Sequence, residues 1–227
     1  MRTSLNKVSS VLEEIRNYEQ RFQRPIQVVA ATKYVDSNII KQLLEAGLTD
    51  IGENKVQDAF IKKASLEEFK FNFHLLGHLQ SNKIKKAVSI FDMIQSVDSF
   101  ELAKKISLAC VELQKEMPIL LEVNVVQDQN KFGFDPKTLL QNFDKILALP
   151  NLKIEGIMSM IFQTNVIEKQ RRYFSSVKLF FDDLRQKYPS LKVLSMGTSD
   201  DYCVAIQEGS TMVRLGRVLF DEAKSEL

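Results

Sequence analysis

The chain has little cysteine, little net charge and no long apolar run. Its two cysteines, Cys110 and Cys203, lie far apart in a sequence of 227 residues and form neither a metal-type nor a redox-type spacing. That usage excludes a disulfide framework and fits a reducing compartment. Lys and Arg number 31 against 29 Asp and Glu, a net charge of +2, which gives no bias toward nucleic acid or a membrane surface. No apolar stretch approaches the ~20 residues that span a bilayer. The N-terminal MRTSLNKVSSVLEEIRNYEQ is amphipathic and carries acids, unlike a signal peptide. No Gly-x-Gly-x-x-Gly follows the first apolar run, which counts against a dinucleotide fold. No linker, low-complexity stretch or charge block divides the chain. The expectation is one soluble, cytoplasmic domain over residues 1–227.

What is present is a regular alternation. Compact apolar runs occur at 26–33, 50–54, 71–77, 92–97, 118–124, 153–160, 193–197 and 211–216, as expected of strands covered on both faces. Between them lie helical patterns. SNIIKQLLEAG reads as a helix capped by Ser37, striped by Ile39, Ile40, Leu43 and Leu44, and stopped at Gly47. The stretch 168–187 places Tyr173, Phe174, Val177, Phe180, Phe181 and Leu184 on one side. Asp135-Pro136 opens another helix. Eight strands alternating with helices predict a closed (β/α)8 barrel with an extra N-terminal helix, an open doubly wound sheet being the alternative.

In such a barrel the chemistry stands at the C-terminal ends of the strands. Those ends carry Lys33, Glu53-Asn54, His74 with Gly77, Asp98, Asn124, Met158-Ser159, Gly197-Thr198-Ser199 and Arg214-Leu215-Gly216. Gly-containing turns after strands seven and eight suit a phosphate monoester, with Ser199 expected to cap the helix that follows strand seven. Asp200 and Asp201 would repel a phosphate, so they are expected to face away from it. A phosphate site across the mouth from a lysine suggests pyridoxal 5′-phosphate, because a pocketed amine loses solvation and forms a Schiff base. Arg214 would meet the pyridine nitrogen, and a guanidinium, which has no acceptor, leaves that nitrogen unprotonated.

Several motifs occur together and in order: ATK (31–33), IGENKVQ (51–57), HLLGHLQSNK (74–83), VNVVQDQNKFG (123–133), GIMSM (156–160), SMGTSDD (195–201) and GSTMVRLGRVLF (209–220). With them the chain, from about residue 5 to 222, resembles the pyridoxal phosphate homeostasis protein family, which is similar in fold to the barrel domain of alanine racemase, a fold-type III barrel. The resemblance implies that Lys33 forms the Schiff base and that Ser199, with the backbone N–H groups of Gly216 and Arg217 and with Thr198 beside them, cradles the phosphate. It implies Arg214 at the pyridine nitrogen, and Asn54 and Met158 against the faces of the ring. Two positions depart from the family pattern: Tyr34 follows the lysine, and Asp221 stands where glycine is usual.

The resemblance further implies a monomer that binds, buffers and delivers the cofactor to apo-enzymes, without robust catalysis. A racemase needs a second acid/base, which in alanine racemases comes from a separate domain; the chain ends soon after strand eight. Tyr34 is expected on the opposite face of the strand from Lys33. The alternative is a weak racemase or lyase. Other signals are set aside: His74 and His78 straddle a strand end and are not expected to bind metal, and Lys83, Lys85 and Lys86 read as a solvated helix face. Glu53 is expected to pair with Lys33 or with a neighbouring loop. Of Met158 and Met160, one is expected to face the barrel and the other the helices.

Overall fold

Each of the eight apolar runs is a strand, and the strands close on themselves. In a computed structural model describing residues 5–126, 132–161 and 164–220, the strands are β1 (Gln27–Ala31), β2 (Asp50–Glu53), β3 (Asn72–Leu75), β4 (Met93–Val97), β5 (Met117–Glu122), β6 (Leu152–Met158), β7 (Val193–Thr198) and β8 (Met212–Leu215). Every neighbouring pair is parallel, and β8 returns to β1 in the register Gln27↔Met212 to Ala30↔Leu215. The architecture is the closed barrel expected from the sequence, not the open-sheet alternative.

The helices are α1 (Leu5–Phe22), α2 (Ser37–Glu45), α3 (Val56–Ala64), α4 (Ile84–Ile90), α5 (Phe100–Glu112), α6 (Pro136–Leu147), α7 (Ile167–Lys187) and α8 (Tyr202–Gln207). The cap of α2 is Asp36, whose Oδ1 accepts from the N–H groups of Asn38 and Ile39 at 2.9 and 3.1 Å, and Ser37 is the first helical residue. A carboxylate there also complements the helix dipole, which a hydroxyl does not. Asp135 caps α6 in the same way, with Pro136 in its first turn. The apolar side of α7 is buried through Tyr173, Phe174, Val177, Phe181 and Leu184.

The N-terminal helix is a working part of the wall. Val8, Val11 and Ile15 of α1 are buried in the main core. Lys7 Nζ donates to the carbonyl of Phe220 at 2.8 Å, and Glu14 accepts from Tyr202 Oη at 2.7 Å. Thus α1 covers the seam where β8 meets β1. Between β6 and β7 the backbones approach so closely that a Cβ on Gly156 would lie 1.8 Å from the carbonyl oxygen of Val193; only glycine fits.

The interior of the barrel is partly polar. Val29, Leu120, Met158 and Met212 form an apolar layer. Asp50, at the start of β2, accepts from Gln27 Nε2 at 2.8 Å, Asn72 Nδ2 at 2.9 Å and Thr49 Oγ1 at 2.8 Å, and His74 Nε2 lies 3.0 Å away. Burial pushes this carboxylate up, but the hydrogen bonds from His74, Asn72 and Thr49 outweigh it and hold the group at about 2.

Candidate functional site

A cavity of about 350 Å³ opens at the C-terminal ends of the strands. Lys33, Asn54, Thr198, Ser199, Arg214, Gly216 and Arg217 all line it, so four loops bring these predicted residues together.

Lys33 stands two residues beyond β1 with its side chain exposed. The backbone just before it is pinned. Thr32 donates its N–H to the carbonyl of Gly52 at 2.9 Å and its hydroxyl to Glu53 Oε1 at 2.6 Å, while Lys62 Nζ donates to the Thr32 carbonyl at 2.7 Å. Glu53 is buried and pairs with Lys62 at 2.6 Å, not with Lys33. The wall is therefore rigid up to Thr32, and the amine beyond it is left at the mouth. Tyr34 departs from expectation: its ring centroid lies 4.7 Å from Lys33 Nζ. The strict alternation of a strand does not extend past Ala31, where the chain turns.

Across the mouth, the Ser199 hydroxyl oxygen accepts from the N–H groups of Gly216 at 3.0 Å and Val218 at 3.3 Å. A Cβ on Gly216 would sit 3.5 Å from the Ala31 carbonyl oxygen and 4.0 Å from Ser199 Oγ, in the space those groups enclose. The cap of α8 is Asp201, not Ser199, and α8 is only six residues long. The donor set is thus the Gly216 turn and a hydroxyl, with no helix start needed. Asp201, contrary to expectation, also lines the cavity, although its Oδ1 is engaged there, accepting from Thr198 N–H at 2.6 Å and from Thr198 Oγ1 at 3.1 Å. Burial pushes its carboxyl up, opposed by those bonds and by the nearby charge of Arg214. Asp200, contrary to expectation, lines the cavity, and its charge is met there by an ion pair with the Arg217 side chain.

Arg214, on β8, is buried at 5% exposure, and its NH1 donates to Ser195 Oγ at 2.7 Å. Its NH2 donates to the Ser159 carbonyl at 3.0 Å and to Met160 Sδ at 3.0 Å. Burial lowers it to about 10, against the raising effect of Asp201, Glu122 and Tyr173, so it stays cationic at neutral pH. Met158 needs a correction. It is buried in the apolar layer, and the methionine lining the cavity is Met160. Met160 stands two residues beyond the end of β6, where its Sδ meets Arg214 at the cavity, so it does not turn toward the helices.

His74 and His78 do not converge on one partner. His74 lies inside the barrel, whereas His78 Nδ1 is 3.1 Å from Asp98 and its ring stacks on Phe132. Among the described residues no group of three metal-ligating side chains occurs. Lys85 pairs with Glu112, and Lys86 lies over the Phe60 ring. Asp221 lies outside the described residues, as does part of 123–133. No described helix is long and apolar enough to cross a membrane. Sequence reasoning missed Met160, the Asp200–Arg217 pair and the partners of Arg214. The signal for Ser195 was a polar residue inside the apolar run of β7; the Asp200–Arg217 pair, which joins two loops, left none.

Over residues 8–223 the chain matches the alanine racemase N-terminal domain model. A pyridoxal phosphate homeostasis protein of Aquifex aeolicus is 35% identical over 222 residues, covering 96% of this chain and 97% of that protein. The chain belongs to this family. A second member, from Haemophilus influenzae, is 31% identical over 96% of the chain and 93% of its own length. PipY of Synechococcus elongatus PCC7942, solved with PLP bound, superposes with a TM-score of 0.85 at 33% identity, covering 96% of this chain and 99% of that one. An alanine racemase of Clostridium difficile 630 shares the fold, with a TM-score of 0.79 at 16% identity over 58% of its length.

Proposed function

We propose that the chain binds pyridoxal 5′-phosphate as a Schiff base on Lys33 and serves to hold and hand over the cofactor, without robust turnover. One observation carries the reading: an exposed primary amine, a buried guanidinium and a hydroxyl–amide cradle line the same 350 Å³ cavity. The three match an aldehyde, a pyridine nitrogen and a phosphate, and the family's members bear the corresponding name. When bound, the cofactor supplies an aldehyde that condenses with a neutral amine, with loss of water.

Lys33 offers that amine at an open mouth, where its proton leaves to solvent. Ser199 and the backbone N–H groups of the Gly216 turn would hold the phosphate by hydroxyl and N–H donors, and Arg217 offsets the charge of Asp200. Arg214 would donate to the ring nitrogen and, having no acceptor, would leave it unprotonated. A ring held this way is a weak electron sink, which favours storage over amino-acid chemistry. The recipients in this reading are apo-enzymes that use the cofactor, and the protein acts as a monomeric, cytoplasmic single domain.

The competing reading, weak racemase or lyase activity, draws on the phenol of Tyr34 beside Lys33. Absorbance spectra of the wild type and Lys33→Ala with pyridoxal phosphate, followed by borohydride trapping and peptide mapping, test the main reading. A yellow band that is lost in the variant, with the adduct on Lys33, is expected. No band, or an adduct spread over surface lysines, overturns it. Bleaching and product formation on adding amino acids would favour the enzyme.

A further inference from the structure

Arg214 is the first member of a line of polar side chains that crosses the barrel interior. Its NH1 donates to Ser195 Oγ at 2.7 Å, and Ser195 Oγ donates to Gln95 Oε1 at 2.7 Å. Gln95 Nε2 lies 3.0 Å from His74 Nδ1, and His74 Nε2 lies 3.0 Å from Asp50 Oδ1. The line runs through β8, β7, β4, β3 and β2, and every member is buried.

The chemistry fixes its direction. Arg214 has only donors, so Ser195 must accept from it and spend its own proton on Gln95. Gln95 then turns its carbonyl to Ser195 and its amide NH₂ to His74, so Nδ1 is an acceptor. At the far end Asp50 is an acceptor surrounded by donors, so His74 Nε2 carries the proton. All four links donate the same way, from a buried cation to a buried carboxylate. Reversing Gln95 would aim two N–H donors at Ser195 and require an imidazolium at His74. In the forward direction each bond polarises the next.

We propose that Ser195, Gln95 and His74 are positioning residues for Arg214: they form a one-way hydrogen-bond chain, anchored on Asp50, that sets the plane and donor strength of the guanidinium facing the cavity. The inference rests on the reading of Arg214 as the partner of the ring nitrogen. A ligand that draws on Arg214 is then felt at His74, on the other side of the barrel interior.

The test uses the full chain with ¹⁵N-labelled histidine. There are two histidines in the sequence, so His78→Gln assigns the pair. Without added cofactor, His74 is expected to show a single proton, on Nε2. Adding pyridoxal phosphate should move the Nδ1 resonance in the wild type and leave it in place in Ser195→Ala. Ser195→Ala and Gln95→Leu should each weaken binding about tenfold, and the double variant no further, because both break one chain. Melting temperatures check that each variant is folded. An imidazolium or an Nδ1–H tautomer at His74 would overturn the direction of the chain. Additive losses, or an Nδ1 resonance indifferent to the cofactor, would reduce these residues to packing. If the wild type takes up no cofactor, the reading of the site falls and the positioning role with it; the tautomer then reports on the chain alone.

Discussion

The two ends of the barrel each carry an opening, and the larger is not the candidate site. At the N-terminal ends of the strands a cleft of about 560 Å³ is lined by Thr49, Lys63, Glu67, Lys70, Asn72 and Asp92, among others. Its polar groups serve the fold: Lys63 donates to the Ile90 carbonyl, Asp92 accepts from the Phe73 N–H at 2.8 Å, and Asn72 and Thr49 hold Asp50. At the C-terminal ends the cavity is smaller, but Lys33, Arg214 and the Ser199 cradle are aimed into one space. Volume therefore distinguishes the two ends less than the use made of their side chains. At one end the polar groups are spent on the fold; at the other they face a shared cavity.

On that division, damage to the wall should cost stability and damage to the mouth should cost binding. The largest effect is expected from Gly156→Ala, because its Cβ would overlap a carbonyl of β7; a loss of about 3 kcal/mol or more should appear in denaturant titrations. Next comes Asp50. Its carboxyl is held below its unfolded value of 3.8, so its contribution is complete above that value and disappears as pH falls toward 2. The wild type should lose about 2 kcal/mol more than Asp50→Asn over that acid window, as measured by melting curves at stepped pH. At the mouth, Ser199→Ala should weaken pyridoxal phosphate about tenfold in a spectroscopic titration with little change in melting temperature. The smallest effect is that of Asp200→Asn, which removes an exposed acid and releases Arg217: binding should tighten about two- to threefold, less at high salt. Lys63→Ala, in the larger cleft, should leave uptake unchanged; weakened uptake would erase the distinction between the ends.

The strands were legible because each is a short apolar run buried on both faces, and the eight observed ranges fall within about two residues of those expected. Lys33, Ser199 and Arg214 were legible as polar residues at the ends of such runs. The pairing of Glu53 with Lys62 was not, since it depends on how α3 packs against the wall. Nor was the Asp200–Arg217 pair, which joins two loops that only barrel closure brings together. Met158 was misplaced because its motif marks the strand, not which of its two methionines reaches the mouth. His74, read as a polar residue at the barrel end, proved to lie in the interior, and Gln95 and Ser195 went unremarked although they interrupt the apolar pattern at inward positions.

The placement of α1 over the seam has a consequence for how the chain is made. On the ribosome β1 emerges first and β8 last of the strands, yet they are neighbours, and Lys7 and Glu14 of α1 find their partners in Phe220 and Tyr202. The contacts of greatest sequence separation, those that cost the most chain entropy, are thus the ones that shut the barrel. Until β8 arrives, β1 and β7 are open edges able to pair with other chains. Synthesis therefore delivers the closing strand and Arg214 together, so the guanidinium at the mouth is in place only in a chain whose wall is complete.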